Sequence, residues 1–163
     1  AVLDYTYNFS GVVDLMGIRF DYPEDQVISK RWLGAGPYRV WQNRIHGTQY
    51  DVWENDYNDP IPGETFTYPE FKGYFADVSW MNIQTKEGTI NLTNETPDAY
   101  IGVYQPRDGR DRLLYTLPES GISVLNVIPP VRNKVNSTDL CGPSSQPKWV
   151  NGPQTGRVIF RFM

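Results

Sequence analysis

Hydrophobic and polar residues alternate one for one in several stretches of this 163-residue chain. Between Tyr74 and Met81, the residues Tyr74, Ala76, Val78 and Trp80 alternate with Phe75, Asp77, Ser79 and Met81, which predicts a strand with one strongly apolar face. Near the C-terminus Val158, Phe160 and Phe162 point one way and Arg157 and Arg161 the other. Gln49–Glu54 and Tyr100–Tyr104 also read as strands. No segment carries a convincing helical period. Turn chemistry punctuates the strands at YPED, DPIPGE, KEG, NETPD, RDGR, PESG and NGPQTG. Short strands at regular spacing predict an all-β, antiparallel β-sandwich, built as one domain over residues 1–163 without linker, repeat or low-complexity tract. Asn55–Pro62 and Pro129–Pro153 read as long loops, the places where a rigid sheet tends to carry function.

Glycine and proline support this reading: 14 Gly and 13 Pro are spread from end to end, and Tyr74–Glu87 is the longest stretch without either. The net charge of −4 and the absence of a Lys/Arg stripe argue against a nucleic-acid partner. The densest basic stretch, Arg107–Arg112, is interrupted by Asp108 and Asp111 and reads as a solvated turn. No apolar run approaches the roughly 20 residues of a membrane-spanning helix, so no membrane partner is expected. The first residue, Ala1, lies in strand-like sequence with no leader pattern, which reads as a processed protein or a trimmed domain. Cys141 is the only cysteine, so an internal disulfide and a CxxC motif are excluded, and a small structural thiol is expected. The Asn-x-Ser/Thr sequons at Asn8, Asn91, Asn94 and Asn136 carry no weight in so Asn- and Thr-rich a chain.

Candidate chemistry concentrates in RWLGAGPYRVWQNRIHG, Arg31–Gly47. Gly34-Ala35-Gly36-Pro37 matches only the first three residues of a dinucleotide-binding glycine loop; the sixth is Arg39, and no helix opens there. A bend that uses glycine conformations at Gly34 and Gly36 and the fixed φ of Pro37 fits better, with Trp32, Trp41 and Arg44 pinning it. His46 is the only histidine, which excludes a multi-histidine zinc site, and nothing sets a nucleophile against it. The acidic stretch Glu54, Asp56, Asp59 offers carboxylates to Ca²⁺ but lacks the spacing and glycine of an EF-hand loop. No cofactor is expected. Among 19 Asp and Glu, no pair is distinguished as the two acids of a glycosidase. The 5 Trp, 11 Tyr and 7 Phe are the strongest compositional signal. Most belong in a sandwich core, yet Trp41, Trp53 and Trp149 sit beside turn residues, where an aromatic face can stack on a sugar ring.

Leu15-Met16-Gly17-Ile18, then Trp32-Leu33-Gly34-Ala35-Gly36-Pro37, then Arg44, resemble the C-terminal domain of glycoside hydrolase family 2 β-galactosidases. That family carries an (R)-x-G-(L/I) strand and, about fifteen residues later, a W-x-G-x-G-P-x-E-x-Y-x-D-R corner. Further landmarks run in the family's order: Tyr68-Pro69-Glu70, the strand with Asp77-Val78-Ser79-Trp80, and LCGPSSQPKW, Leu140–Trp149, where the family has a glycine-rich loop ending in tryptophan. The resemblance spans roughly Asp14 to Phe162. Arg39, Trp41 and Asn43 replace the corner's glutamate, tyrosine and aspartate, and Ser144 and Ser145 replace two aspartates of the last loop.

The resemblance implies the second half of a galactose-mutarotase-like supersandwich, in a periplasmic or secreted parent enzyme whose two catalytic glutamates lie in a separate (β/α)8 barrel. The chain itself is then non-catalytic, and its partners are carbohydrate and the rest of the parent enzyme. The last loop is expected to reach the sugar with Trp149, alongside Gln146 and Ser145, with Trp41 and Trp53 as further sugar-binding candidates. A half supersandwich exposes an apolar edge or face, which favours a homodimer of this chain. A free-standing carbohydrate-binding module, with Tyr38, Trp41 and Trp53 forming an exposed row, and a ligand-free structural sandwich are the alternatives.

Overall fold

A computed structural model describes residues 1–57, 73–103, 121–130 and 142–163. Among these residues nine strands follow in chain order: β1 (Val2–Val13), β2 (Met16–Phe20), β3 (Val27–Gly36), β4 (Gln49–Asp56), β5 (Trp80–Thr85), β6 (Gly88–Asn94), β7 (Tyr100–Val103), β8 (Ile122–Val127) and β9 (Lys148–Phe162). They form a six-stranded sheet of order β1-β9-β6-β5-β3-β4 and a three-stranded sheet of order β2-β8-β7, all antiparallel and packed as a sandwich. Helical structure among the described residues is confined to short 3-10 turns at Glu24–Gln26 and Pro143–Ser145. No helix among them is long and apolar enough to cross a membrane. Asp59, Cys141, Asn136, Tyr68–Glu70 and Arg107–Arg112 lie outside the described residues.

Two apolar clusters hold the sheets. The larger joins Trp32, Phe75, Met81, Ile83, Leu92, Val158 and Phe160 to Ile101, Ile122 and Val124 of the small sheet. The smaller gathers Ala35, Val40, Trp41, Tyr74, Ala76, Leu125 and Ile128 beneath the corner that follows β3. The segment ahead of β5 divides between them. Tyr74 bridges Val40 and enters the small cluster, while Phe75 bridges Ile101 and enters the large one. The alternation predicted for Tyr74–Met81 therefore fails. Asp77 has a left-handed φ of 51°, β5 begins only at Trp80, and its core face is Met81 and Ile83.

The NGPQTG turn is likewise replaced by strand. Asn151–Gly156 lies within β9 and is in register with Tyr5–Ser10 of β1. Here β9 has a neighbour on one side only among the described residues, because β6 pairs with it from Val158 onward, and a proline is tolerated where one side of the ladder is open. The predicted loop Pro129–Pro153 is correspondingly shorter, since β9 begins at Lys148. Asn55 and Asp56 belong to β4 rather than to a loop. Phe162, placed on the apolar face, is 70% exposed at the end of β9.

The glycines of the corner do a different task from the one expected. Gly34 and Gly36 are both inside β3, and neither has a left-handed φ. Their lack of a side chain admits close neighbours: a Cβ at Gly36 would lie 2.4–2.6 Å from the Trp53 indole, and one at Gly34 about 3.0 Å from the backbone of Ala76 and Val78. The bend starts at Pro37, after a cis Gly36–Pro37 peptide.

Gly36→Ala is expected to lower stability by about 1–3 kcal/mol through overpacking. Gly142→Ala meets nothing within 4 Å and has no left-handed φ, so it should stay within about 0.5 kcal/mol of the parent. Urea unfolding of the two variants checks the contrast; equal midpoints would contradict the close-approach role of Gly36.

Candidate functional site

The corner and the last turn, about a hundred residues apart in sequence, meet in the fold. After Pro37 the chain bridges Val40 to Tyr74 and closes a tight turn in which Trp41 and Arg44 exchange backbone hydrogen bonds of 3.2 and 2.8 Å. Gln42 and Asn43 form its tip. Gln42 donates its side-chain amide to the Gln146 carbonyl at 2.9 Å and its backbone N–H to the Pro129 carbonyl at 3.1 Å. Asn43 donates to the Ser145 hydroxyl at 3.1 Å. Arg44 closes this turn through its backbone and is itself exposed, as is His46. Trp41 anchors the turn from below: it is 1% exposed and packs edge-on against Tyr74 with ring centroids 5.6 Å apart. Its ring offers no face to a ligand, and its indole N–H has no hydrogen-bond partner among the described residues.

Three residues beyond Gln146, Trp149 stands on the outward face of β9, directly opposite Val12 of β1. It is 69% exposed and Val12 is 59% exposed, whereas Trp32 and Trp41 are buried and Trp53 and Trp80 partly so. One pair further along the same face, the Ser10 hydroxyl donates to the Asn151 side-chain oxygen at 2.6 Å. The tip of the β1–β9 ribbon thus sets an apolar platform beside a polar pair. That combination is of a kind that can cover the apolar face of a ring while hydrogen bonds meet its hydroxyls. Trp149 is placed by a strand and not by the loop expected for it.

Trp53 serves as a pin. Its indole N–H lies 3.2 Å from the Gly34 carbonyl and 3.3 Å from the Gln49 carbonyl, and its ring fills the space a side chain at Gly36 would occupy. With Trp41 buried and Trp53 partly buried, Tyr38, Trp41 and Trp53 do not form an exposed row. Glu54 and Asp56 are exposed on β4, and Glu54 lies 3.9 Å from Arg31. Among the described residues no group of three His, Cys, Asp or Glu is arranged to hold a metal ion.

A concavity of about 290 Å³ was not foreseen from sequence; Asp77, Val78, Asn94, Glu95, Thr96, Pro97, Asp98 and Ala99 line it. Asn94 shapes it by accepting the Thr96 N–H at 3.0 Å and donating to the carbonyls of Val78 and Thr96. Asp98, like Asp77, is left-handed, with φ 55°. Glu95 is engaged by Arg157 at 2.8 Å, and Thr96 exchanges two hydrogen bonds with the Arg157 backbone. The acids are scattered at positions 77, 95 and 98, so no spacing signalled them. The phenol of nearby Tyr100 is raised above the ordinary value of 10.0, first by burial and then by the charges of Asp77 and Asp98.

No protein-family model matches the chain, and a search of curated proteins returns no match.

Tyr5, Tyr7 and Tyr100 all have phenols raised above 10.0, each chiefly by burial. The folded state holds these protons more tightly than the unfolded chain, so their stabilisation is complete below pH 10.0 and is lost as pH rises through the folded values. Ultraviolet titration of tyrosinate should show late-ionising phenols, one of them removed by Tyr100→Phe, and urea stability should fall over the same range. Unchanged stability above pH 10.0 would contradict the assignment.

Proposed function

We propose that this chain is a non-catalytic C-terminal domain of a family 2 glycoside hydrolase of the β-galactosidase kind, completing the enzyme's architecture and lending Trp149 to carbohydrate binding. The observation that carries the reading is the position of Trp149: of the chain's 5 tryptophans it is the one presented openly to solvent, at a ribbon tip flanked by polar side chains. The sequence resemblance supports it. Gly34, Gly36, Pro37 and Arg44 keep the family's corner pattern, and the glycines there have a steric reason to be kept. The polar turn with Ser145 and Gln146, docked on Gln42 and Asn43, holds the approach to Trp149 in place. In this reading the two sheets are the second half of a larger supersandwich, and the acid/base and nucleophile belong to a separate barrel of the parent enzyme. A contact made by a remote domain raises the rate only as far as it strengthens in the transition state; a contact equal in both states lowers KM alone.

The test is tryptophan-fluorescence titration of the chain, alone and joined to its catalytic partner, with galactosides, glucuronides and plant-polysaccharide oligomers. Trp149→Ala in the joined enzyme is expected to raise KM about tenfold, equivalent to ~1.4 kcal/mol, while Trp53→Phe leaves it near the parent value. An unchanged KM in Trp149→Ala removes the sugar-contact role. A saturable response of the chain alone, lost in Trp149→Ala, would favour a free-standing binding module over an accessory domain.

A further inference from the structure

We propose that β1 is a self-association edge through which two copies of this chain join their six-stranded sheets. Among the described residues, strand β1 is the outermost strand at one end of the large sheet and pairs with β9 alone. No backbone hydrogen bond among the described residues reaches its other side. It runs twelve residues in unbroken register, with Asp4 as its one charged residue and no proline. Such an edge is a template for another strand.

The opposite edge, β4, is guarded in the usual ways. It carries Asp51, Glu54 and Asp56, and the Asp51 carboxylate caps the N–H of Val52 at 2.7 Å. Pairing β4 with itself would crowd six carboxylates along one short seam, whereas β1 has no comparable obstacle.

The sequence of β1 is also self-complementary about Tyr7. An antiparallel two-fold pairing centred there sets Tyr7 opposite Tyr7, Tyr5 opposite Phe9, and Val2 opposite Val12 of the second copy. Asp4 then meets Ser10, and the two Asp4 carboxylates stand about 20 Å apart along the seam. Cross-strand aromatic and β-branched pairs of this kind stabilise a sheet. The pairing also changes the ribbon. Between Asp4–Val13 and Lys148–Arg157 the large sheet is, among the described residues, two strands wide, and a second copy makes it four, past the three strands needed for stability independent of other packing. An isologous contact of this form closes as a dimer, so it does not propagate into a fibre.

Thr6 and Asn8 are exposed on the outward face and oppose one another across the proposed axis. Light scattering coupled to size exclusion should give the 163-residue chain a mass of twice 18.7 kDa at high concentration. Thr6→Lys with Asn8→Lys places lysines against lysines and should return a folded monomer, whereas Thr6→Lys with Asn8→Glu places lysine against glutamate and should keep the dimer. Circular dichroism confirms that each variant retains its sheet. A parent chain that stays monomeric, or a dimer indifferent to the two lysines, overturns the proposal; loss of the dimer in the lysine–glutamate variant overturns the register.

Discussion

The ladder between the first strand and the last is the constraint on which the rest of the molecule depends. Twelve register pairs tie Val2–Val13 to Lys148–Ile159, and β9 carries that ladder into the sheet by pairing with β6 from Val158 onward. Bringing chain ends together across so many residues costs entropy, but that cost grows only with the logarithm of loop length. A long in-register ladder offsets it in one cooperative step. Polar contacts fix the same seam: Arg157 reaches Asp4 at 3.0 Å and Glu95 at 2.8 Å, and the N-terminal amine donates to the Phe160 carbonyl at 2.6 Å. The ion pairs are exposed and contribute little by themselves; their value lies in holding one register. A slip by one residue would turn Val158 and Phe160 out of the core and Arg157 and Arg161 into it.

Two of the strand glycines share one packing device with an aromatic neighbour. The Trp53 indole lies over Gly36, and the Tyr5 ring lies so close to Gly156 that a Cβ there would fall 2.2 Å from its hydroxyl oxygen. In both places a ring takes the space a neighbouring side chain would need. This lets large residues pack flat on a strand without pushing the sheet apart. The device explains why Gly36 and Gly156 occur inside strands, where their entropy cost would otherwise be unfavourable.

The sandwich was legible in sequence because turn residues are frequent and helical periods absent, and the strands at Gln49–Glu54 and Tyr100–Val103 were legible because little distorts them. Strands β3 and β5 were obscured for physical reasons. Lys30 occupies a core position of β3, 1% exposed, with its ammonium donating to the Asp56 carbonyl at 3.0 Å and resting near the Tyr57 ring. A charged residue facing inward breaks the expected alternation. The outward face breaks it from the other side: one register row across the large sheet runs Val52, Leu33, Trp80, Thr93, Ile159 and Val2. With apolar residues on both faces, period two loses contrast. The left-handed Asp77 hid a third boundary, because a backbone irregularity between apolar residues leaves no compositional mark. Of the site, the tryptophan and the polar turn were readable as residue types. Their meeting with Gln42 and Asn43, and the burial of Trp41, arise from tertiary contact alone.

The ligand platform and the pairing edge proposed for the ribbon are compatible because the two would use perpendicular directions. Side chains of a strand stand normal to the sheet, while its backbone hydrogen bonds lie in the plane. Trp149 and Val12 therefore keep their outward exposure whether or not another strand joins β1. Pairing centred on Tyr7 would in fact set Val2 of the second copy beside Val12 and lengthen the apolar platform next to Trp149. Exposed apolar side chains at a ribbon tip are unfavourable in water unless something covers them. A ring stacked on Trp149 and a strand added to β1 cover different parts of the same exposed surface. Each would stiffen the two-stranded ribbon that the other relies on.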